Sequence, residues 1–339
     1  MAGPFYLEPA VGNDGNAGTA WGAGNSWATL QKAFDTAAAG EIVYCKGTDI
    51  LGATIDCDIN SGDTVSGPIK FIGVNNDGNN DGTRFTIDGN AAATYCLNAA
   101  ASMNYIYMEN FNFTGATSHG LYMIGNSAAF WAFNNCAFYS NGANGAYTYR
   151  GINSIFVRCA FYSNTTDGLF MAISGQQLFF CSFHNNTGSG LYCSAGGVAI
   201  LIGCLIYSNG DDGVSALEDN IALFNCVVDN NTDNGIDFEA SEGRRTIIGC
   251  RVTNHSGAGD IGINVAGQMI VHGWNYFEDN DGANIQAATI DDFELLYNGA
   301  TTDIEDQANT NEGYTTAGSD FNLRSDASLR RQAISIPLT

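Results

Sequence analysis

The 339-residue chain predicts an all-β solenoid, a stack of short β-coils of about 22–24 residues with a short amphipathic helix at its start. Three observations predict it. Cysteines recur at 136, 159, 181, 204, 226 and 250, separated by 23, 22, 23, 22 and 24 residues. Within each unit apolar residues alternate with period two, the strand period, and no connection is long or helical enough to be a crossover helix. Gly is abundant (42), Pro scarce (4), and Asn and Asp crowd the predicted corners, while 45% apolar residues make an ordered core the expectation.

Residues 1–44 read as a first strand, a Gly/Asn loop and a short helix. Trp27, Leu30, Ala33, Phe34 and Ala37 share one face, and Ser26 stands in the N-cap position. Such a helix would cover the open end of a solenoid, where strand edges invite aggregation. Residues 45–300 carry the coils, and residues 301–339 form a tail.

The repeat is clearest in CAFYSN, at Cys136–Asn141 and again at Cys159–Asn164, followed by CSFHNN, CLIYSN, CVVDNN and CRVTNH. Five residues after the first five cysteines come Asn141, Asn164, Asn186, Asn209 and Asn231. Four further on come Gly145, Gly168, Gly190, Gly213 and Gly235. Looser copies, ENFNFTG before and WNYFEDN after, extend the frame. This pattern resembles the right-handed parallel β-helix superfamily, the fold of pectate-lyase-like enzymes and of many bacteriophage tailspikes, over roughly residues 40 to 300. The resemblance implies a right-handed parallel β-helix. Stacked at about 4.8 Å per coil, roughly eleven coils make a rod on the order of 50 Å long.

The cysteines then have a structural reading. A residue at one place in every coil stacks on its neighbours, and a small apolar thiol suits an interior column. Their Cα spacing is in disulfide range, but an in-register stack does not aim the Cβ vectors at each other. There is no CxxC, and the histidines (119, 184, 255, 272) have no ligand spacing. Reduced core thiols are therefore expected. The Asn column reads as side-chain amides bonding the next coil, and the NTT, NNT and NHS triplets within it as turn chemistry.

Charge excludes some functions. Twelve Lys and Arg stand against 35 Asp and Glu, a net charge of −23, which disfavours nucleic acid and anionic membranes as partners. No run of 18 apolar residues exists, and the first residues lack the pattern of a secretory signal, so synthesis in a reducing compartment is expected. Walker, GxSxG and HExxH motifs are absent and no cofactor is expected.

Function is expected on outward positions. Three residues after Cys lie Tyr139, Tyr162, His184 and Tyr207, then Asp229 and Thr253. Two residues after Gly lie Tyr122, Tyr147, Phe170 and Tyr192, then Ser215 and Asp237. Both columns begin aromatic and turn polar, as a glycan platform or a subunit interface would. Just before each Cys, pairs such as Phe156/Val157, Leu178/Phe179 and Leu223/Phe224 put one apolar member outside, and a homotrimer would bury that column.

Polysaccharide cleavage on such a fold uses external carboxylates. Asp237 and Glu239 share an outward face, with Asp212, Glu218 and Asp219 about one coil earlier; Asp167 and Asp212 also read as turn residues. No lyase motif surrounds the arginines. Asp77, Asn79, Asp81 and Asp88 match a calcium-loop spacing on strand rather than helical flanks, with a plain Asn/Asp/Gly turn as the alternative.

The leading expectation is a bacteriophage virion structural protein, a capsid decoration or tail spike component. It would be homotrimeric, synthesised in the host cytoplasm and docked on other virion proteins. The alternatives are a glycan hydrolase or depolymerase working through Asp237 and Glu239, located outside the cell, and a non-catalytic binder of cell-surface polysaccharide. Neither a separate head-binding domain before the helix nor a large trimerising domain after residue 300 is expected, a departure from the fuller tailspikes that favours a compact decoration protein. The tail, with Arg324, Arg330 and Arg331, is the one locally basic stretch and suits an acidic neighbour.

Overall fold

A computed structural model describes residues 4–99, 103–125, 129–149, 153–172, 175–194, 196, 198–217, 220–239, 245–255 and 260–265. Beyond these it describes 271–273, 275–278, 280, 285–287, 294–295 and 304–306. Among the described residues, strands of two to six residues form three sheets of 12, 11 and 10 strands, each coil giving one strand to each sheet. Every pairing between these strands is parallel, and residues one coil apart are partners: Phe138 pairs with Phe161, and Phe161 with Phe183.

The alternation predicted from sequence sets the core. Phe138, Phe161, Phe183, Ile206, Val228 and Val252 form one buried column, and the cysteines another. The phenyl rings stack face to face, 4.8 Å between centroids for Phe138–Phe161 and for Phe161–Phe183. All ten cysteines are buried thiols.

Two corners flank each strand of the 10-stranded sheet, and each needs a left-handed residue. Before Cys the slot holds Asn135, Arg158, Phe180, Gly203, Asn225 and Gly249; before the ladder Asn it holds Ser140, Ser163, Asn185, Ser208, Asn230 and Asn254. Asn and Gly adopt this region most readily, which explains the corner composition.

The Asn column is a hydrogen-bonded ladder. Asn186 Nδ2 donates to Phe161 O (3.1 Å) and to Asn209 Oδ1 (3.0 Å), while its own Oδ1 accepts from Asn164 N and Nδ2. The accompanying Gly has a steric cause. A Cβ at Gly168 would lie 2.9 Å from Asn186 Nδ2 and 2.6 Å from Gly190 O.

The N-terminal helix α1 spans Leu30–Thr36 and buries Leu30, Ala33 and Phe34, with the Phe34 ring 4.2 Å from Phe71. Trp27 and Ala37 are buried too. The N-cap is Thr29, not Ser26: Thr29 Oγ1 accepts from Lys32 N at 3.2 Å. The Asp14 carboxylate accepts from Ala28 N and Thr29 N and holds the chain extended through Thr29. Ser26 instead donates back to Gly22 O. No helix among the described residues is long and apolar enough to cross a membrane.

Candidate functional site

The outer face of the 11-stranded sheet carries the first aromatic column. Tyr122, Tyr147, Phe170, Tyr192, Ser215, Asp237 and Asn264 are register partners in successive coils. The second column, Tyr139, Tyr162, His184, Tyr207 and Asp229, lies in register on the outer face of the 10-stranded sheet.

In both columns the rings cover one another. Tyr139 and Tyr162 stack at 3° and 4.8 Å, Tyr162 and His184 at 4° and 5.1 Å, His184 and Tyr207 at 11° and 4.8 Å. Tyr147 and Phe170 stack at 5°, and Phe170 and Tyr192 at 18°. Sugar stacking needs an open ring face, and inside each stack the faces are spent on neighbours. A continuous glycan platform is therefore not what these columns offer; edges and hydroxyls point outward. Open faces remain where a stack ends. At Tyr192 the aromatic column ends, because the next residue in it is the small, buried Ser215.

Beyond that end of the column come carboxylates. Ser215 Oγ donates to Glu239 Oε1 (3.0 Å), and Asn264 Nδ2 donates to Asp237 Oδ1 (2.8 Å). Each carboxylate thus has one oxygen held and the other without a hydrogen bond from the described residues. Burial, then the neighbouring Glu239 charge, pushes the Asp237 carboxyl up to about 6. Burial and then the Glu239, Asp167 and Asp211 charges also raise the Tyr192 phenol, which ties the ring to the same acidic surface.

The turn beside the sheet adds more acid. Carboxylate oxygens of Asp211, Asp212 and Asp233 lie within 4.8 Å of one another, and this is the one such convergence of three His, Cys, Asp or Glu groups among the described residues. Asp167 and Asp212 are turn residues as expected, and their role is specific. Asp167 Oδ1 accepts Ser189 N, and Asp212 Oδ1 accepts Asn234 N, as Asn144 and Asn234 do for their own next coils. They are rungs of a second ladder in which Asp replaces Asn. Burial pushes Asp167 up to about 6, and burial plus the Asp237, Asp211 and Asp233 charges pushes Asp212 up to about 8.

Sequence reasoning named Asp237, Glu239 and Asp212 but missed Asp211 and Asp233. The signal was present, since both stand two residues before the repeat Gly. Glu218, Asp219, Arg244 and the tail arginines lie outside the described residues. The calcium-loop residues are only partly brought together. Asp77, Asn79 and Asp81 share an exposed loop organised by Asn75, whose Oδ1 accepts from Asp77 N and Asn79 N. Asp81 is spent on Asn75 and Thr83, and Asp88 ends a strand, accepting from Asn90 N.

The outer face of the 12-stranded sheet is apolar, as expected, along the coils from residue 157 to 248, while Lys70, Glu109 and Asn134 stand on it in earlier coils. Val157, Phe179, Ile202, Phe224 and Ile248 run along it half-exposed, with Phe180 (61%) and Leu205 (48%) exposed at its edge.

The family model for a right-handed beta helix region matches residues 119–273. No curated protein matches the sequence. Among solved structures, the A-module of the Azotobacter vinelandii mannuronan C-5 epimerase AlgE4 is similar at 12% identity, TM-score 0.56, over 80% of this chain and 85% of that one. A rhamnogalacturonan lyase follows at 16% identity, TM-score 0.53, over 93% and 89%, and pectate lyase Pel9A at 15%, TM-score 0.50, over 92% and 83%. The chain therefore has the fold of the right-handed parallel β-helix superfamily, a fold shared with polysaccharide lyases and epimerases.

Proposed function

We propose that the protein is a glycan-acting β-helix whose site is the outer surface formed by Tyr192 and the Asp237–Glu239 pair. The observation that supports it most is the pairing of a part-buried carboxyl, Asp237, raised to about 6, with the exposed Glu239, each fixed by one hydrogen bond and both near Tyr192. Glycosidic hydrolysis uses two carboxyl groups, one of which must donate a proton. Asp237 would act as the general acid and Glu239 would activate water or attack directly. Positions i and i+2 of an extended chain are about 6.6 Å apart, which leaves room for a water between the carboxyls. The ligand is a neutral polysaccharide. Asp167, Asp211, Asp212, Asp233, Asp237 and Glu239 crowd one surface, and the Lys46–Glu8 ion pair lies elsewhere. A uronate chain would be repelled, which argues for hydrolysis over elimination.

The test is release of reducing ends from a panel of neutral polysaccharides. Asp237→Asn with Glu239→Gln is expected to abolish cleavage while leaving the fold intact. Unchanged cleavage rules the pair out, and glycan binding without cleavage by the parent protein reduces the reading to a binding site.

A second reading, a homotrimeric virion component docked on other virion proteins, is favoured by the apolar outer face from Val157 to Ile248. Monomers rarely leave such a face open.

A further inference from the structure

The thiol column packs in the core at the coil-to-coil spacing, and the proposed glycan chemistry does not use it. Cys136, Cys159, Cys181, Cys204, Cys226 and Cys250 are at most 2% exposed and occupy consecutive coils. Their register is held by the backbone: Cys136 O accepts Ala160 N, Cys159 O accepts Ser182 N, Cys181 O accepts Leu205 N, and so on at 2.9 Å to Arg251. Each Sγ lies 3.4–3.8 Å from two carbonyl oxygens, for Cys181 those of Phe156 and Phe179. The column ends at Phe111 before Cys136 and at Asn275 after Cys250.

Parallel side chains one coil apart keep their Cβ atoms about 4.8 Å apart. A disulfide needs about 3.8 Å, so adjacent rungs sit about 1 Å too far for oxidation without distortion. The same spacing suits another bond. Two thiolate bonds to a d10 cation, about 2.3 Å each, span about 4.6 Å. We propose that the column is a binding site for soft divalent cations of linear two-coordinate habit, each ion bridging two thiols on neighbouring coils and each thiol used once.

The charge balance favours divalent over monovalent ions. Each ion displaces two thiol protons, M²⁺ + 2 RSH → RS–M–SR + 2 H⁺, and the product is neutral in an interior that penalises charge. A monovalent ion would leave one negative charge per pair. Zinc demands four ligands in a tetrahedron, and a single file of thiols offers two. Six thiols used once each hold three ions.

The probe is mercuric chloride added to the folded protein, with zinc chloride as the comparison, read by native mass spectrometry and by proton release. Two triple variants separate adjacency from thiol number. Cys159→Ala, Cys204→Ala and Cys250→Ala leave three thiols about 9.6 Å apart, two coil rises. Cys136→Ala, Cys159→Ala and Cys181→Ala leave three thiols on consecutive coils. Cys45, Cys57, Cys96 and Cys193 lie off the column and cancel in the comparison. The expected result is three more mercuric ions on the parent than on the alternating variant, two protons released per ion, one column ion kept by the consecutive variant, and no zinc. Equal loading of the two variants, equal uptake of zinc, or no mercuric binding before unfolding overturns the proposal. If either variant fails to fold, the ion count, proton release and zinc comparison on the parent decide it.

Discussion

At Asp212 a ladder position and an acidic surface make opposite demands. The slot needs an acceptor for Asn234 N, which Asn would supply without charge. Burial and three neighbouring carboxylates push the Asp212 carboxyl up to about 8, against about 4 in an unfolded chain. The folded state therefore holds this proton more tightly than the unfolded one. Its contribution to stability is fully present below about pH 4, declines as pH rises, and is lost above about pH 8. Asp212→Asn is expected to raise the melting temperature at pH 8 by several degrees and to change it little at pH 4, as a pH series of melts would show. A second residue-scale conflict is Phe180, a bulky side chain at φ +55 in a slot that elsewhere holds Asn, Gly or, once, Arg158. Phe180→Asn is expected to stabilise by about 1 kcal/mol, the scale of the left-handed penalty, in denaturant titration.

The element that unifies the coils is the Asn ladder. Each internal amide uses both donors and accepts twice, so a buried polar column is fully satisfied. Asn186→Ala would strand Asn164 N, Asn164 Nδ2 and Phe161 O at once. Buried orphans cost about 1–3 kcal/mol each, so a loss of about 3 kcal/mol or more is expected from the denaturation midpoint. Asn186→Asp should be worse at neutral pH, because oxygens would then face Phe161 O and Asn209 Oδ1. The ladder also explains why the repeat Gly is small rather than conformationally special. Gly168→Ala is expected to destabilise by crowding Asn186 Nδ2, although no left-handed backbone is involved.

For the whole molecule, the three faces divide the work. The 11-stranded sheet and its turn carry the acid, the 10-stranded sheet carries a closed ring stack, and the 12-stranded sheet carries an apolar exterior. A solution mass of three times 35.8 kDa is the expected outcome if the apolar face is a subunit interface. Val157→Asp with Phe224→Asp should then give monomers. A monomeric parent protein would remove the support for a trimer.

The cysteine period, the inward and outward alternation and the Asn–Gly corners were legible in the sequence, because a solenoid repeats one local environment and the chain must answer it with one residue type per slot. Asp237 and Glu239 were legible for the same reason, as outward positions where an aromatic column turned acidic. The N-cap was misplaced because Asp14, fifteen residues upstream of Thr29, holds the chain extended past Ser26. The ring faces were not legible either: period two says that Tyr139 and Tyr162 point outward, but only stacking about one coil apart shows that each covers the other. The tertiary structure also decided the acidic cluster, since coil stacking brings Asp233 to Asp211 and Asp212, more than twenty positions earlier in the chain. Sequence by itself determined what repeats; the geometry of one coil against the next decided which of those repeats are spent on each other and which remain open to a ligand.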